Sequence, residues 1–288
     1  MQFEAVTAPT VMRVEAVGTP TISLRVWGSG TNACLLVHGF GDGGFVWEKL
    51  AQRLAPDRKV VAVDLRGHGD SEWALDARYD VTAHAEDLQR VIQATAVDHF
   101  VIVGHSMGAA LALRLATMFP ARVRGVVVAD HSPVRNPDAF TQIREGFRSE
   151  HRIYVSVEDY AKWLGERRPL VNSDLLRHIA EASLRRRTTG FELKRDPAMI
   201  SDFEKWDASK ADAWILLEKL ELPVLVVRGA ASAVLSRQHA EAMVSILARG
   251  RLAEVSRAGH GLMLDNPGGF VGAVRPFIDE MLINDNAD

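Results

Sequence analysis

A serine hydroxyl becomes a nucleophile when a base can take its proton and fixed dipoles can hold the negative charge its attack creates. The stretch Val101-Ile102-Val103-Gly104-His105-Ser106-Met107-Gly108 carries the residues for such a serine. An apolar β-branched triplet runs through G-x-S-x-G into an apolar helical stretch that reaches Phe119. Ser106 therefore stands on a tight strand-to-helix turn that lifts its hydroxyl above a sheet. Gly104 and Gly108 flank it because a Cβ at either place would meet the closely packed strand and helix. The helix starting behind Ser106 turns free N–H groups and its positive end towards an anion formed beside the serine oxygen. Serine is also a favoured helix N-cap. The strand before it and the helix after it favour the nucleophile over the cap.

The base that suits this serine is His260, in Ser256-Arg257-Ala258-Gly259-His260-Gly261. The chain has ten histidines, but this one directly follows the last strand-like run and precedes the closing helical stretch. It thus lies at the same edge of the sheet as Ser106, where it could remove the hydroxyl proton.

The elements that must position these groups follow from periodicity. Val11–Val17 and Thr21–Trp27 alternate apolar and polar residues around Gly18-Thr19-Pro20, the pattern of an antiparallel hairpin. Ala33–Val37, Val60–Val63, Phe100–Val103, Gly125–Ala129 and Pro223–Val227 are short, nearly continuous apolar runs, as in strands covered on both faces of a parallel sheet. Leu252–Ser256 reads as a last strand. Helical-period stretches alternate with these runs at Val46–Leu54, Thr82–Ala94, Met107–Phe119, Arg237–Ala248 and Gly268–Leu282, which implies a doubly wound α/β sheet. The connection from about Ser132 to Leu222 is too long for a simple crossover. It carries helical patterns at Asp138–Arg148, Val157–Gly165 and Ser173–Leu184, and reads as a cap over the carboxyl ends of the strands.

Composition narrows the function classes. At 288 residues and 47% hydrophobic content, the chain can bury a large core. A formal charge of −3 leaves no basic excess with which to bind nucleic acid. The lone Cys34 rules out a disulfide framework and sits in an apolar run, as an inert buried thiol would. The first twenty residues lack a signal-peptide pattern and no uncharged apolar stretch is long enough to span a membrane, so a cytoplasmic protein without membrane contact is expected. The histidines show no metal-ligand spacing.

Gly104-His105-Ser106-Met107-Gly108, His38-Gly39-Phe40 upstream, Asp64-Leu65-Arg66-Gly67-His68-Gly69-Asp70-Ser71 and Gly259-His260 together resemble the α/β-hydrolase fold family, in its serine-nucleophile branch. The resemblance covers residues 20–283. It implies a mostly parallel eight-stranded sheet flanked by helices, with a helical cap inserted after strand 6. The core would comprise residues 1–132 and 222–288, and the cap residues 133–221.

The resemblance also implies an oxyanion hole, with one donor from the amide of Met107 and the second from the loop after Leu35–Val37, where the Phe40 amide is the candidate. His38 and Gly39 in that loop become candidate substrate contacts. Family members usually carry the triad acid on the loop after Pro223–Val227. Here that loop, Arg228 to Ser236, has no carboxylate, and Ala233 stands where an aspartate is common. The acid is then assigned to Asp130, at the end of the preceding strand, with an ordinary loop-capping role as the alternative. Arg66 and His68 are expected to hold neighbouring loops rather than to take part in chemistry.

The cap would choose the substrate. Arg144 and Arg148 could meet a carboxylate-bearing substrate, because a guanidinium binds a carboxylate bidentately. Trp163, with Trp47, Trp206, Trp214 and Phe40, could wall an aromatic pocket. The expected activity is that of a cofactor-independent serine hydrolase acting on a small ester or amide. A C–C bond hydrolase, a cofactor-free dioxygenase of the same fold and a ligand-binding receptor on a hydrolase scaffold stay open, as does a homodimer.

Overall fold

The computed structural model describes residues 8–205 and 210–283. Two strands form the expected hairpin: β1 (Thr10–Val14) pairs antiparallel with β2 (Ile22–Trp27). The chain continues through β3 (Asn32–Val37), a 3-10 turn at Gly44–Trp47, α1 (Glu48–Leu54), β4 (Lys59–Val63), α2 (Val81–Ala94), β5 (His99–His105), α3 (Met107–Met118) and β6 (Val123–Ala129). After β6 come α4 (Pro137–Glu150), α5 (Val157–Arg167), α6 (Ser173–Ser183), the hairpin β7 (Leu184–Arg187) and β8 (Gly190–Leu193), a 3-10 turn at Pro197–Met199, α7 (Ile200–Lys205) and α8 (Lys210–Glu218). The last elements are β9 (Val224–Gly229), α9 (Arg237–Ile246), β10 (Gly250–Val255), the short α10 (Leu262–Asp265) and α11 (Pro267–Ile283).

Eight strands make one sheet in the order β1-β2-β4-β3-β5-β6-β9-β10. All neighbours from β4 onward are parallel; only the pairs made by β2 are antiparallel. This is the mostly parallel α/β-hydrolase sheet, and the order reverses direction around β3 and β4, with Ser106 at the end of β5 nearby. The valine-rich runs are buried on both faces, as continuous apolar strands must be. One core layer packs Trp47, Leu50 and Leu54 with Phe270, Val274 and Phe277 against one face. The other packs Leu88, Val91, Leu111 and Leu115 against the opposite face. Cys34 lies inside and burial pushes its thiol up to about 12, so it is inert at neutral pH.

Two glycines set how closely these layers approach. A Cβ on Gly108 would stand 2.2 Å from the Val37 carbonyl oxygen, and one on Gly104 2.3 Å from the Gly108 carbonyl oxygen. Both obstacles are backbone, so relief requires moving β3, β5 and α3 apart. Gly108→Ala is expected to lower stability by about 3 kcal/mol, read as a lower midpoint in chemical denaturation. An unchanged midpoint would show that the strand and helix are not locked at this spacing.

The long connection after β6 holds the expected helices, and each starts at a side-chain cap: Asn136 before α4, Ser156 before α5 and Asn172 before α6. The helical reading of Ser173–Leu184 stops one residue early, because Leu184 enters the β7–β8 hairpin. Arg185 and Arg187 alternate along β7 and both pair with Glu192 on β8. Arg185, Arg186 and Arg187 therefore lie on a hairpin strand. No helix among the described residues is long and apolar enough to cross a membrane.

Candidate active site

Ser106 sits between β5 and α3 with φ of 52° and ψ of −115°, a strained conformation for a residue with a side chain. Its amide donates to the Ala129 carbonyl at 2.9 Å, which ties the turn to β6. Its hydroxyl makes no capping bond to α3, so the N-cap reading of this serine does not describe the fold. The amides of Phe40 and Met107 make no backbone hydrogen bond among the described residues. Gly39 passes close beside Ser106: a Cβ there would lie 3.2 Å from the Ser106 Cβ and 2.7 Å from His105 Nδ1.

Asp130 directly follows β6, with φ of 48° and no solvent exposure. Its Oδ1 accepts from the Gly229 amide at 3.0 Å, while Oδ2 accepts from the Ser232 hydroxyl at 2.5 Å and from His260 Nδ1 at 2.8 Å. The loop after β9 thus lacks a carboxylate of its own, but its Ser232 and the last residue of β9, Gly229, donate to the carboxylate that follows β6. Because Asp130 accepts at Nδ1, His260 carries its proton there and keeps the Nε2 lone pair for a proton from elsewhere. Among the described residues the His260 ring is hydrogen-bonded to Asp130 and not to Ser106. Contacts of this kind often tighten only when substrate binds.

Neighbouring residues hold His260 in place. The His105 ring lies 4.6 Å from the His260 ring, and His105 Nε2–H donates to the His260 carbonyl at 2.8 Å. The Gly259 amide donates to Asp265 at 2.8 Å. Burial moves the Asp265 carboxyl above its ordinary range, against the lowering effect of this contact and of the nearby Arg168.

The loop carrying Phe40 is braced by two buried neutral histidines. His38 donates from Nδ1 to the Gly39 carbonyl at 2.8 Å and accepts the Leu65 amide at Nε2 at 3.0 Å. His68 donates from Nδ1 to the Arg66 carbonyl and accepts the Gly41 amide at 3.1 Å. The Gly41 carbonyl in turn accepts from Arg195 Nη1 at 2.7 Å. Arg66 makes a two-pronged contact with Asp87 at 2.5 and 2.8 Å, and Asp64 accepts the amides of Gly44 and Asp70. The stretch 64–71 therefore acts as a frame beneath the site.

Burial lowers the pKa of His38, His68 and His105, and of His84, whose ring lies 6.4 Å from that of His68, taking His84 to about 3 and His105 to about 4. Their folded pKa lies below the ordinary 6.5, so the unfolded chain takes up protons first as pH falls. Their contribution to stability is present above about pH 6.5 and is lost as pH falls towards about 4. Thermal midpoints are accordingly expected to hold from pH 7 to 8 and to drop through that window. A midpoint flat down to pH 4 would contradict it.

Ser106 and Met107 open on a cavity of about 760 Å³. Its walls come from α3, the start of the long connection, α4, α7 and α8, and are largely apolar, with Leu113, Phe140, Ile143 and Leu217 among them. Several sequence-derived contacts lie elsewhere. His38 is fully buried with both ring nitrogens occupied by backbone, so it supports the loop and does not face substrate. Arg144 is half-buried and Arg148 exposed, and neither lines the cavity; among the described residues the cations that do are Arg114, Arg135 and Lys205. Trp163 packs on Tyr160, with Arg167 stacked 3.8 Å from its ring, away from the cavity. Trp47 is core, Trp214 packs against the core, and Trp206 lies outside the described residues. Periodicity could place α4 but could not say which side of it faces inward. The Phe40 ring stacks on Phe203 at 3.9 Å and leans on Phe147 at 4.6 Å. His131, directly after Asp130, lines the cavity and has a sequence signal only in its position at the strand end.

A strained serine after the fifth strand, a histidine after the last and a buried carboxylate on the histidine are the parts of an α/β-hydrolase site. The family model described as alpha/beta hydrolase fold matches residues 32–267, and the chain belongs to that family and is an α/β-hydrolase enzyme. It is 28% identical over 220 residues, 76% of this chain and 78% of the relative, to 2-(acetamidomethylene)succinate hydrolase of Mesorhizobium japonicum. It is 27% identical over 252 residues, 85% of this chain and 86% of the relative, to 2-hydroxymuconate semialdehyde hydrolase of a Pseudomonas species. The crystal structure of E-2-(acetamidomethylene)succinate hydrolase superposes with a TM-score of 0.86 at 26% identity, over 94% of this chain and 99% of that one.

Proposed function

We propose that the protein is a cofactor-independent serine hydrolase that cleaves a small ester or amide through an acyl-enzyme on Ser106. The observation that carries this reading is the Asp130–His260 contact, which leaves the imidazole a free Nε2 lone pair at the edge of the sheet where the strained Ser106 turn also lies. In this scheme His260 takes the Ser106 proton as Oγ attacks the substrate carbonyl carbon. The amides of Phe40 and Met107 hold the oxyanion. Collapse expels the leaving group, which receives the proton from His260. Water, deprotonated by the same imidazole, then attacks the acyl carbon and releases Ser106 and the acid product.

Residues 133–221 serve as the cap in this reading, since α4, α7 and α8 wall the cavity above Ser106. A carboxylate on the substrate would meet Arg114 or Arg135 rather than Arg144 or Arg148. The relation to 2-hydroxymuconate semialdehyde hydrolase supports a second reading, hydrolysis of an activated C–C bond by the same residues. The test is incubation with a fluorophosphonate and with p-nitrophenyl esters. The expected result is a covalent adduct mapped by mass spectrometry to Ser106 together with ester turnover; an intact protein without the adduct would overturn the proposal.

A further inference from the structure

The mechanism above uses one of the three imidazoles gathered around the site and explains a second as support for it. The third, His131, has no task. It follows Asp130 at the end of β6, where Ala129 holds the Ser106 amide, so the chain passes the nucleophile immediately before reaching it. Asp130 turns inward to the loop after β9 and is wholly buried. His131 instead is half-buried and lines the same cavity as Ser106. Among the described residues its ring has no hydrogen-bond partner.

A half-buried imidazole whose donor and acceptor sites face a largely apolar cavity is a group that a bound ligand can use. Ligand cavities of this type orient their ligand with a few such groups. Burial, with His260 nearby, lowers the His131 pKa to about 4, so the ring is neutral at neutral pH and can both donate and accept. Such a group matches a hydroxyl, keto or amide function and discriminates poorly in favour of a full charge. The acyl group stays on Ser106 between the two half-reactions, so it is the part of the substrate that a residue of this cavity can hold through both.

We propose that His131 is a specificity-determining residue that hydrogen-bonds a neutral polar group on the acyl chain, close to the scissile carbonyl, so that the enzyme prefers hydroxyacyl or ketoacyl substrates to plain alkyl ones. This rests on the serine hydrolase reading and deepens it.

The experiment compares kcat/KM for p-nitrophenyl 3-hydroxybutyrate and p-nitrophenyl butyrate. Wild type should favour the hydroxyacyl ester by about tenfold, the worth of one net hydrogen bond. His131→Leu should bring that ratio close to one, and His131→Asn, which keeps a donor and an acceptor, should restore part of it. Equal losses on both esters in His131→Leu, or no preference in wild type, would overturn the proposal. A binding arm separates it from the hydrolase reading: calorimetry on Ser106→Ala with 3-hydroxybutyramide and butyramide. If wild type turns over neither ester, the hydrolase reading fails. The amide pair still decides the role of His131, through tighter binding of the hydroxyamide that is lost in Ser106→Ala/His131→Leu or through equal binding of both.

Discussion

Asp130→Asn lowers kcat on an ester substrate by about 10⁴, with the fold kept. The size follows from which hydrogens point where. Asp130 Oδ2 accepts from both the Ser232 hydroxyl and His260 Nδ1. An asparagine that keeps its carbonyl on the Gly229 amide must turn an N–H₂ group towards two donors. The imidazole relieves this by moving its proton to Nε2, and the base that should take the Ser106 proton then presents a hydrogen instead. The loop from Arg228 to Ser236 has no second carboxylate to take over. Turnover measured on purified variant, with circular dichroism to verify the fold, checks the outcome. A loss under tenfold would mean that His260 is oriented by something other than Asp130, and the reading of the acid would fall.

Ser106→Ala is the larger effect. It should remove about 10⁶ of kcat, the scale seen when a serine nucleophile is deleted from a triad enzyme, and abolish fluorophosphonate labelling. Stability should barely change, because the Ser106 hydroxyl caps no helix and the alanine inherits the same backbone conformation, with φ of 52°. Progress curves, labelling and thermal midpoints separate the two quantities. Residual turnover close to wild type would exclude an acyl-enzyme on Ser106. A large fall in midpoint would instead show that the serine is structural.

Much of the framework was legible because it is local. Short continuous apolar runs such as Val60–Val63 and Gly125–Ala129 read as strands buried on both sides, and their alternation with helical stretches implies a parallel sheet. The G-x-S-x-G turn needs its glycines within a few residues, so the sequence displays it whole. The β7–β8 hairpin was hidden for the opposite reason. Leu184 continues the helical period of α6, and only the pairing of Arg185 and Arg187 with Glu192 shows where that period ends.

The sequence alone determined the fold class, the serine at the end of β5 and the histidine after β10, since each depends on neighbours along the chain. The tertiary structure decided what faces what. It turned the carboxylate-free loop after β9 into a hydrogen-bond donor to Asp130, made His38 a buried support, and placed Arg114, Arg135 and His131 at the cavity in place of Arg144, Arg148 and Trp163. The physical reason is that a helical period places an apolar face only towards some core. The direction of an arginine or imidazole on the other faces is set by packing between elements far apart in the chain.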